Sequence, residues 1–252
     1  MIIQEKEHSY IMISQHDHAA ISGSIARNYA VDYFPFSDFQ QEFIQAVLQH
    51  DQAWVEIDKV PVWNDVKGRP YSFIDFPVPM KLVHYKAGID SHEPENPYGA
   101  LLQSKHYASL VGESEEEAVF WEREKDRQQK IIQLLGLTKD HEELIEEHFK
   151  ALQFCDSVSL YTCMQPPGTE NKYKNAEHGF QHGKQFKFSN GEDVIGDWKN
   201  NMQIQLSPHP FKEDFDVTLL YKEVQKDDIS IKGIAKAYHG APLCEHKFTF
   251  VS

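Results

Sequence analysis

The most informative stretch of the sequence is Ala46-Val47-Leu48-Gln49-His50-Asp51-Gln52-Ala53-Trp54. It predicts a helix over residues 39–55, because apolar residues recur at helical spacing through it. His50 and Asp51 then lie on or beside the face that should be buried. A buried carboxylate needs a cation or hydrogen-bond donors, because removal of its water is costly. A divalent metal would supply that cation, and a surface His-Asp pair without a role is the alternative.

Two other predicted helices carry a histidine in an apolar stripe. His18 opens the stripe of the first helix, which continues through Ile21 and Ile25 at helical spacing. His106 lies between Leu102 and Leu110 in a helix predicted over 98–111. A buried histidine is more often a satisfied core residue than a metal ligand, so neither position predicts a metal site by itself.

A late helix, predicted over 140–163, carries a single aspartate in its apolar stripe. Asp156 is the only charge among Ile145, Phe149, Leu152, Leu160 and Cys163. An ionised aspartate there would need a cation, a metal or several hydrogen-bond donors. Four helices thus each place a ligand-type residue in the predicted core. Convergence in the core of a helical bundle explains this best, because metal sites are commonly built there.

Composition and charge limit the classes of partner. The chain has 252 residues, 40% of them hydrophobic and 25% charged, which is ordinary for a globular protein. Its net charge of −14 disfavours a nucleic-acid-binding role, because such a surface repels phosphate backbones. A small phosphorylated molecule stays open as a substrate if a metal neutralises its charge. A homodimer is a further open expectation.

The expected compartment is the cytoplasm, with no membrane association. The chain has no run of about 18 apolar residues that could span a bilayer. Its first residues include acidic side chains and no long apolar run, so they are not expected to form a signal peptide. Three cysteines form no paired framework, which fits a reducing compartment.

The predicted secondary structure changes from helices to short strands after the late helix. Residues 1–165 predict a helical metal-binding domain, with a Pro-rich and aromatic-rich stretch at 56–98 as a long insertion. Residues 166–252 predict a β-rich appendage of about five short antiparallel strands, one of them over 229–237. His178 and His182 lie four apart and could bind a metal on a helix, although a flexible loop is the favoured interpretation there. The predicted fold class is therefore α+β, mainly an α-helical bundle with a C-terminal antiparallel β appendage.

The order and spacing of the candidate ligands resemble those of the HD-domain superfamily of metal-dependent phosphohydrolases. Phe43-Ile44-Gln45-Ala46-Val47-Leu48-Gln49-His50-Asp51 resembles the helix that ends in the His-Asp doublet of that family, and Ala151-Leu152-Gln153-Phe154-Cys155-Asp156 resembles its last helix. The match spans about residues 15–163. Over its whole length, the chain more closely resembles a bacterial family of unknown function. Gln15-His16-Asp17-His18-Ala19 and Ser104-Lys105-His106-Tyr107 carry that second resemblance.

The HD resemblance implies a divalent metal as cofactor (Mn, Zn, Fe, Ni or Mg), bound by His18, His50, Asp51 and Asp156. Such an ion lowers the pKa of a water molecule and polarises a phosphoryl group, so hydrolysis of a phosphoester or nucleotide-type molecule is expected. Asp51 and His106 are the candidate catalytic residues, and His106 is also a candidate ligand of a second metal. The chain departs from the HD pattern at Gln52-Ala53-Trp54 after the doublet.

Two alternatives to hydrolysis stay open. An HD-type protein with two irons would activate oxygen and would use extra histidines, for which His106 and either His84 or His92 have the right order. A non-catalytic protein would hold a structural metal or a regulatory ligand. An open coordination position would separate a catalytic site from a structural one.

Overall fold

A mixed seven-stranded sheet forms one layer of the protein, and helices pack against both of its faces. The computed structural model describes the following parts of the chain: residues 1–30, 33–34, 38–168, 184–188 and 191–252, with the backbone alone for 184–186. His178 and His182 lie outside the described residues.

The strands fall into the large sheet and a small hairpin. They are β1 (Ile2–Glu5), β2 (Ser9–Ile13), β3 (Trp63–Asn64), β4 (Arg69–Pro70), β5 (Lys184–Lys187), β6 (Asp193–Asn200), β7 (Gln203–Ser207), β8 (Phe215–Gln225) and β9 (Leu243–Val251). The large sheet has the order β1-β2-β8-β9-β7-β6-β5, and β3 pairs only with β4. All neighbours are antiparallel except β7 and β9, which run parallel.

The helices are α1 (Gln15–Asn28), α2 (Gln40–Leu48), α3 (Val55–Asp58), α4 (Val78–His92), α5 (Pro97–Ser109), α6 (Glu115–Leu134), α7 (Glu142–Met164), α8 (Lys226–Lys232) and α9 (Ile234–Gly240). Two 3₁₀ turns, Gln52–Trp54 and Lys139–His141, precede α3 and α7. Helix α1 begins where the side chain of Ser14 accepts a hydrogen bond from the backbone N–H of Asp17. It approaches α2 closely, because Gly23 has no Cβ to meet Leu48 at 3.0 Å.

The strand β2 is buried on both faces and joins two cores. Ile11 and Ile13 pack with α1 and the other helices of the main core, whereas Tyr10 and Met12 pack with residues of β8, α8 and α9. Successive side chains of a strand point to opposite faces of the sheet. A strand whose residues are apolar on both faces must therefore be covered on both sides.

The prediction of a mainly helical bundle with a C-terminal β appendage was wrong, and with it the resemblance to an HD-domain fold. The sheet is a large layer of the molecule, and strands from both ends of the chain build it: β1 and β2 precede every helix, yet β2 pairs with β8. Helix stripes report local periodicity, but pairing between strands more than 200 residues apart leaves no local signal.

The strand predicted over residues 229–237 was also wrong, because two short helices occupy this region. Asp227 and Asp228 lie in the first turn of α8, where negative charge is favourable. Gly233 separates α8 from α9 with φ of 77°, a backbone conformation that side chains with a Cβ rarely adopt. Among the described residues, no helix is both long and apolar enough to cross a membrane.

Candidate functional site

The His50-Asp51 doublet lies in a turn, not within a helix as predicted. Helix α2 ends at Leu48, and the 3₁₀ turn begins at Gln52. In a continuous helix, adjacent residues point about 100° apart. The turn removes that restriction, so both side chains reach the same place. The side-chain amide of Gln103 stabilises the turn by donating a hydrogen bond of 2.5 Å to the carbonyl of Gln49.

Four side-chain atoms converge at this turn. Nε2 of His18 lies 3.2 Å from Nε2 of His50, 3.5 Å from Oδ2 of Asp51 and 3.1 Å from Oδ1 of Asp156. Nε2 of His50 lies 3.5 Å from Oδ2 of Asp51 and 3.4 Å from Oδ1 of Asp156. We call these four residues the four-ligand cluster. They come from α1, the turn after α2, and α7.

The spacing within the four-ligand cluster suits one divalent ion. Tetrahedral ligands at about 2.0–2.1 Å from an ion lie about 3.3–3.4 Å from each other. The five measured separations fall between 3.1 and 3.5 Å. Two imidazole nitrogens and two carboxylate oxygens are also a donor set that zinc, iron and manganese accept.

Hydrogen bonds at the far side of each imidazole fix how the rings point. Nδ1 of His50 lies 2.8 Å from the carbonyl of Val47 and donates a hydrogen bond to it, so in the neutral ring Nε2 carries the lone pair that can bind a metal. Nδ1 of His18 lies 2.7 Å from Oγ of Ser159. The hydroxyl of Ser159 is 2.9 Å from the carbonyl of Asp156, so it can donate there and accept from His18. Partners of this kind orient metal-ligating histidines.

The charges of the cluster depend on each other. Burial lowers the pKa of His18, but hydrogen bonds to Asp156 and Asp51 outweigh burial and hold that pKa well above its ordinary value. Burial raises the pKa of Asp156, but hydrogen bonds from His18 and His50 more than reverse this and hold it well below its ordinary value. Burial also lowers the pKa of His50, but the charges of Asp51 and Asp156 outweigh burial and raise that pKa. Protons on the two histidines therefore offset the charge of the two carboxylates when no metal does. A metal would compete with those protons for the same atoms.

His106 lies beside the cluster on α5. Its Nε2 is 4.0 Å from Oδ2 of Asp156, and its ring centroid is 5.2 Å from that of His50. Burial lowers its pKa, so the imidazole is neutral at pH 7. Its Nδ1 is buried without a hydrogen-bond partner among the described residues. Nε2 is therefore the nitrogen of His106 that faces the cluster.

The described residues form two groups that could hold an ion, and the second one includes His106. His18, His50 and Asp51 make the first group, and His50, His106 and Asp156 make the second; within each group the ligand atoms lie within 4.8 Å of one another. His16 is exposed, His84 is half-buried and His92 is buried. These three histidines belong to neither group.

Sequence reasoning missed the serines that support His18. Ser22 follows His18 by one helical turn, and Ser159 follows Asp156 by three residues; their hydroxyl oxygens are 2.6 Å apart. Small polar residues one turn from each ligand, on the same buried face, were the available signal. Ser159 also aligns with His18 and Asp156 like a nucleophilic triad. That role does not fit, because Ser159 is fully buried and its hydroxyl is already bonded.

One cavity among the described residues lies away from the four-ligand cluster. It measures about 490 Å³ and lies between β1, the loop at 72–75 and the end of α7, without contact with the four-ligand cluster. The cluster meets solvent mainly through Asp156, whose side chain is 14% exposed, since His18 and His50 are fully buried. We place the candidate site at the cluster, because chemistry requires reactive groups rather than volume.

Comparison with known proteins assigns a family but no activity. Residues 1–226 match the family described as "Protein of unknown function (DUF3891)". No curated protein and no solved structure matches the chain. Because the match covers most of the sequence, the chain belongs to the DUF3891 family, whose function is unknown.

Proposed function

We propose that this protein uses a divalent metal ion, held by His18, His50, Asp51 and Asp156, to hydrolyse a small phosphoester or nucleotide-type molecule. The observation that carries the proposal is the convergence of four donor atoms, because each histidine nitrogen lies 3.1–3.5 Å from the other histidine nitrogen and from both carboxylate oxygens. When bound, a divalent ion lowers the pKa of water and polarises a phosphoryl oxygen. The metal identity is open among Mn, Zn, Fe, Ni and Mg.

The two proposed catalytic residues have different tasks. Asp51 is a ligand whose carboxylate stays ionised, because His50 and His18 outweigh burial and lower its pKa. It can therefore accept a proton from the attacking water. His106 is neutral and lies at the edge of the cluster next to Asp156, so it can contact a phosphoryl oxygen. Water reaches this edge because Asp156 is partly exposed.

A second candidate function rests on the second ligand group. His106 with His50 and Asp156 could hold a second ion, and Asp156 directs Oδ1 to His18 and Oδ2 to His106. Two irons at these positions would support oxygen chemistry instead of hydrolysis. A structural metal without catalysis is the third candidate, and partial exposure of Asp156 counts against it because structural sites are closed.

The test is elemental analysis of untagged protein, wild type against Asp156→Asn. The variant keeps the shape of the side chain but loses its charge. We expect about one equivalent of transition metal in the wild type and almost none in the variant. His16→Ala is the matched control, since His16 is an exposed histidine on the same helix as His18 and should leave the metal content unchanged.

Activity assays follow from the metal count. One metal predicts turnover of p-nitrophenyl phosphate, bis-p-nitrophenyl phosphate or nucleotides, abolished in Asp156→Asn. Two irons predict oxygen uptake. Wild-type protein that contains no metal, even after incubation with manganese, zinc or iron, would refute the proposed function.

A further inference from the structure

The cavity of about 490 Å³ lies at one edge of the large sheet, and none of its lining residues belongs to the four-ligand cluster. Strand β1, which pairs only with β2 among the described strands, forms one wall. The β3–β4 hairpin and the loop at 72–75 form a second wall, and the end of α7 forms a third. Ligand cavities of proteins commonly have such a volume, so a small organic molecule fits here.

Two cationic side chains of the second wall share one carboxylate. Nζ of Lys67 lies 3.0 Å and Nη2 of Arg69 lies 2.7 Å from the same oxygen, Oδ2 of Asp75. The other oxygen of Asp75 accepts hydrogen bonds from the backbone N–H and the hydroxyl of Ser72, at 2.8 and 3.0 Å. Asp75 thus holds the two cations together at the cavity, but its single negative charge balances only one of them.

Hydrogen bonds also fix the backbone of this wall. The side-chain oxygen of the buried Asn64 accepts bonds of 3.1 Å from the backbone N–H groups of Val66 and Lys67, which closes the turn of the hairpin. The backbone N–H of Phe73 donates a bond of 2.9 Å to the carbonyl of Met1, which joins the loop to the chain just before β1. The cationic groups are therefore positioned before a ligand arrives, which lowers the entropic cost of binding.

The lining of the cavity is positively charged, although the whole chain has a net charge of −14. Three cationic and two anionic side chains, a net charge of +1, line it: Lys6, Lys67, Arg69, Glu5 and Asp75. Glu5 also pairs with Lys226 at 2.7 Å. Six further lining residues are apolar: Ile2, Ile3, Phe73, Ile74, Met164 and Pro166. Such a lining suits a molecule with one negative charge and an apolar body.

We propose that this cavity binds a small monocarboxylate, whose carboxylate pairs with Lys67 and Arg69 and whose apolar part packs on the apolar walls. A lysine has three N–H donors and an arginine five, so donors remain on both side chains beyond those that Asp75 accepts. A phosphomonoester carries nearly two negative charges at neutral pH, which exceeds the charge that the lining balances. The inference does not rest on the proposed function, because the cavity and the four-ligand cluster share no residue.

The experiment is calorimetric titration of the full-length protein with hexanoate, and with 1-hexanol as the neutral molecule of equal chain length. We expect saturable binding of hexanoate and binding of 1-hexanol that is weaker by about tenfold or more. Lys67→Gln and Arg69→Gln should each raise the Kd of hexanoate about tenfold, which corresponds to about 1.4 kcal/mol, because each removes a cation and leaves Asp75 less neutralised. The matched control is Lys232→Gln, which removes an equally exposed amine from an ion pair with Asp228 away from the cavity and should leave the Kd unchanged.

Three results would overturn the inference. The first is no binding of hexanoate to the wild type at millimolar concentration. The second is equal affinity for hexanoate and 1-hexanol, which would show an apolar cavity that does not recognise charge. The third is wild-type affinity for hexanoate in both cavity variants with an unchanged Tm, which would place the binding elsewhere. Lys67 is half exposed, so Lys67→Gln provides a folded variant even if Arg69→Gln does not fold.

Discussion

At the scale of single residues, Ser159 connects the helix of Asp156 to the ring of His18. Its oxygen lies 2.7 Å from Nδ1 of His18 and 2.6 Å from the hydroxyl of Ser22, and all three groups are fully buried. No water can replace a partner lost at such a place. The hydroxyl therefore orients the imidazole whose Nε2 faces the other three donor atoms.

We predict that Ser159→Ala weakens metal binding about 10- to 100-fold while the circular dichroism spectrum stays that of a folded protein. The ring of His18 would lose its fixed orientation, and Nδ1 would be buried without a partner. Competition with a chromophoric chelator measures the affinity. Ser24→Ala is the matched control, because Ser24 lies on the same helix as His18 and bonds only to the carbonyl of Ala20. Equal affinities in the two variants would refute the positioning role.

At the scale of elements, the interruption of the helix after Leu48 shapes the site. The turn at 49–51 and the 3₁₀ turn that follows let His50 and Asp51 point to one place. Helix α4 contacts this turn at Gly88. A Cβ added at Gly88 would lie 2.7 Å from the nitrogen and 2.8 Å from the Cα of Ala53. These neighbours are backbone atoms, so relief requires a shift of the turn itself.

We predict that Gly88→Ala lowers the free energy of unfolding by about 1–3 kcal/mol and weakens metal binding. Alanine favours a helix over glycine by up to about 1 kcal/mol, so the clash must exceed this gain. Urea denaturation measures the stability. Gly240→Ala in α9 is the control, because a Cβ there meets nothing within 4 Å. If Gly88→Ala were as stable as the control, the close contact between α4 and the turn would be refuted.

At the scale of the whole molecule, the sheet joins the two ends of the chain. Tyr10 of β2 lies opposite Val224 of β8, and Ser9 donates a hydrogen bond of 2.7 Å to the carboxylate of Glu223. Strand β2 also carries Ile13, which is fully buried in the main core with α1. The helix that carries His18 thus packs on strand β2, and β2 in turn pairs with β8 from the C-terminal part of the chain.

We predict that a fragment of residues 1–165 does not fold on its own. Loss of β8 would leave β2 with an open edge and would expose the apolar residues that β8, α8 and α9 cover, including Tyr10 and Met12. The expected result is insoluble protein, or protein without a cooperative thermal transition. The full chain is the control. A soluble fragment that melts cooperatively and binds metal would contradict this prediction and would support the separate helical domain expected from sequence.

Local pattern alone indicated several features of the site. Apolar spacing singled out His18, His106 and Asp156 as polar groups in buried stripes, because a helix repeats its faces every few residues. The structure places these residues together with His50 and Asp51. Whether they bind a metal stays a prediction. The cytoplasmic location, the small-molecule substrate, the absence of nucleic-acid and membrane partners, and the homodimer likewise stay predictions.

The amino-acid sequence was enough to identify ligand-type side chains on buried faces, since residue type and helical periodicity are local properties. The structure was needed to show that β1 and β2 join the C-terminal strands, because such pairing depends on contacts between residues that are far apart in sequence. The structure was also needed to show that the helix ends after Leu48. Packing of α4 and a hydrogen bond from Gln103 stabilise this turn against a continuous helix. Separations of 3.1–3.5 Å between donor atoms of three elements arise only from that packing.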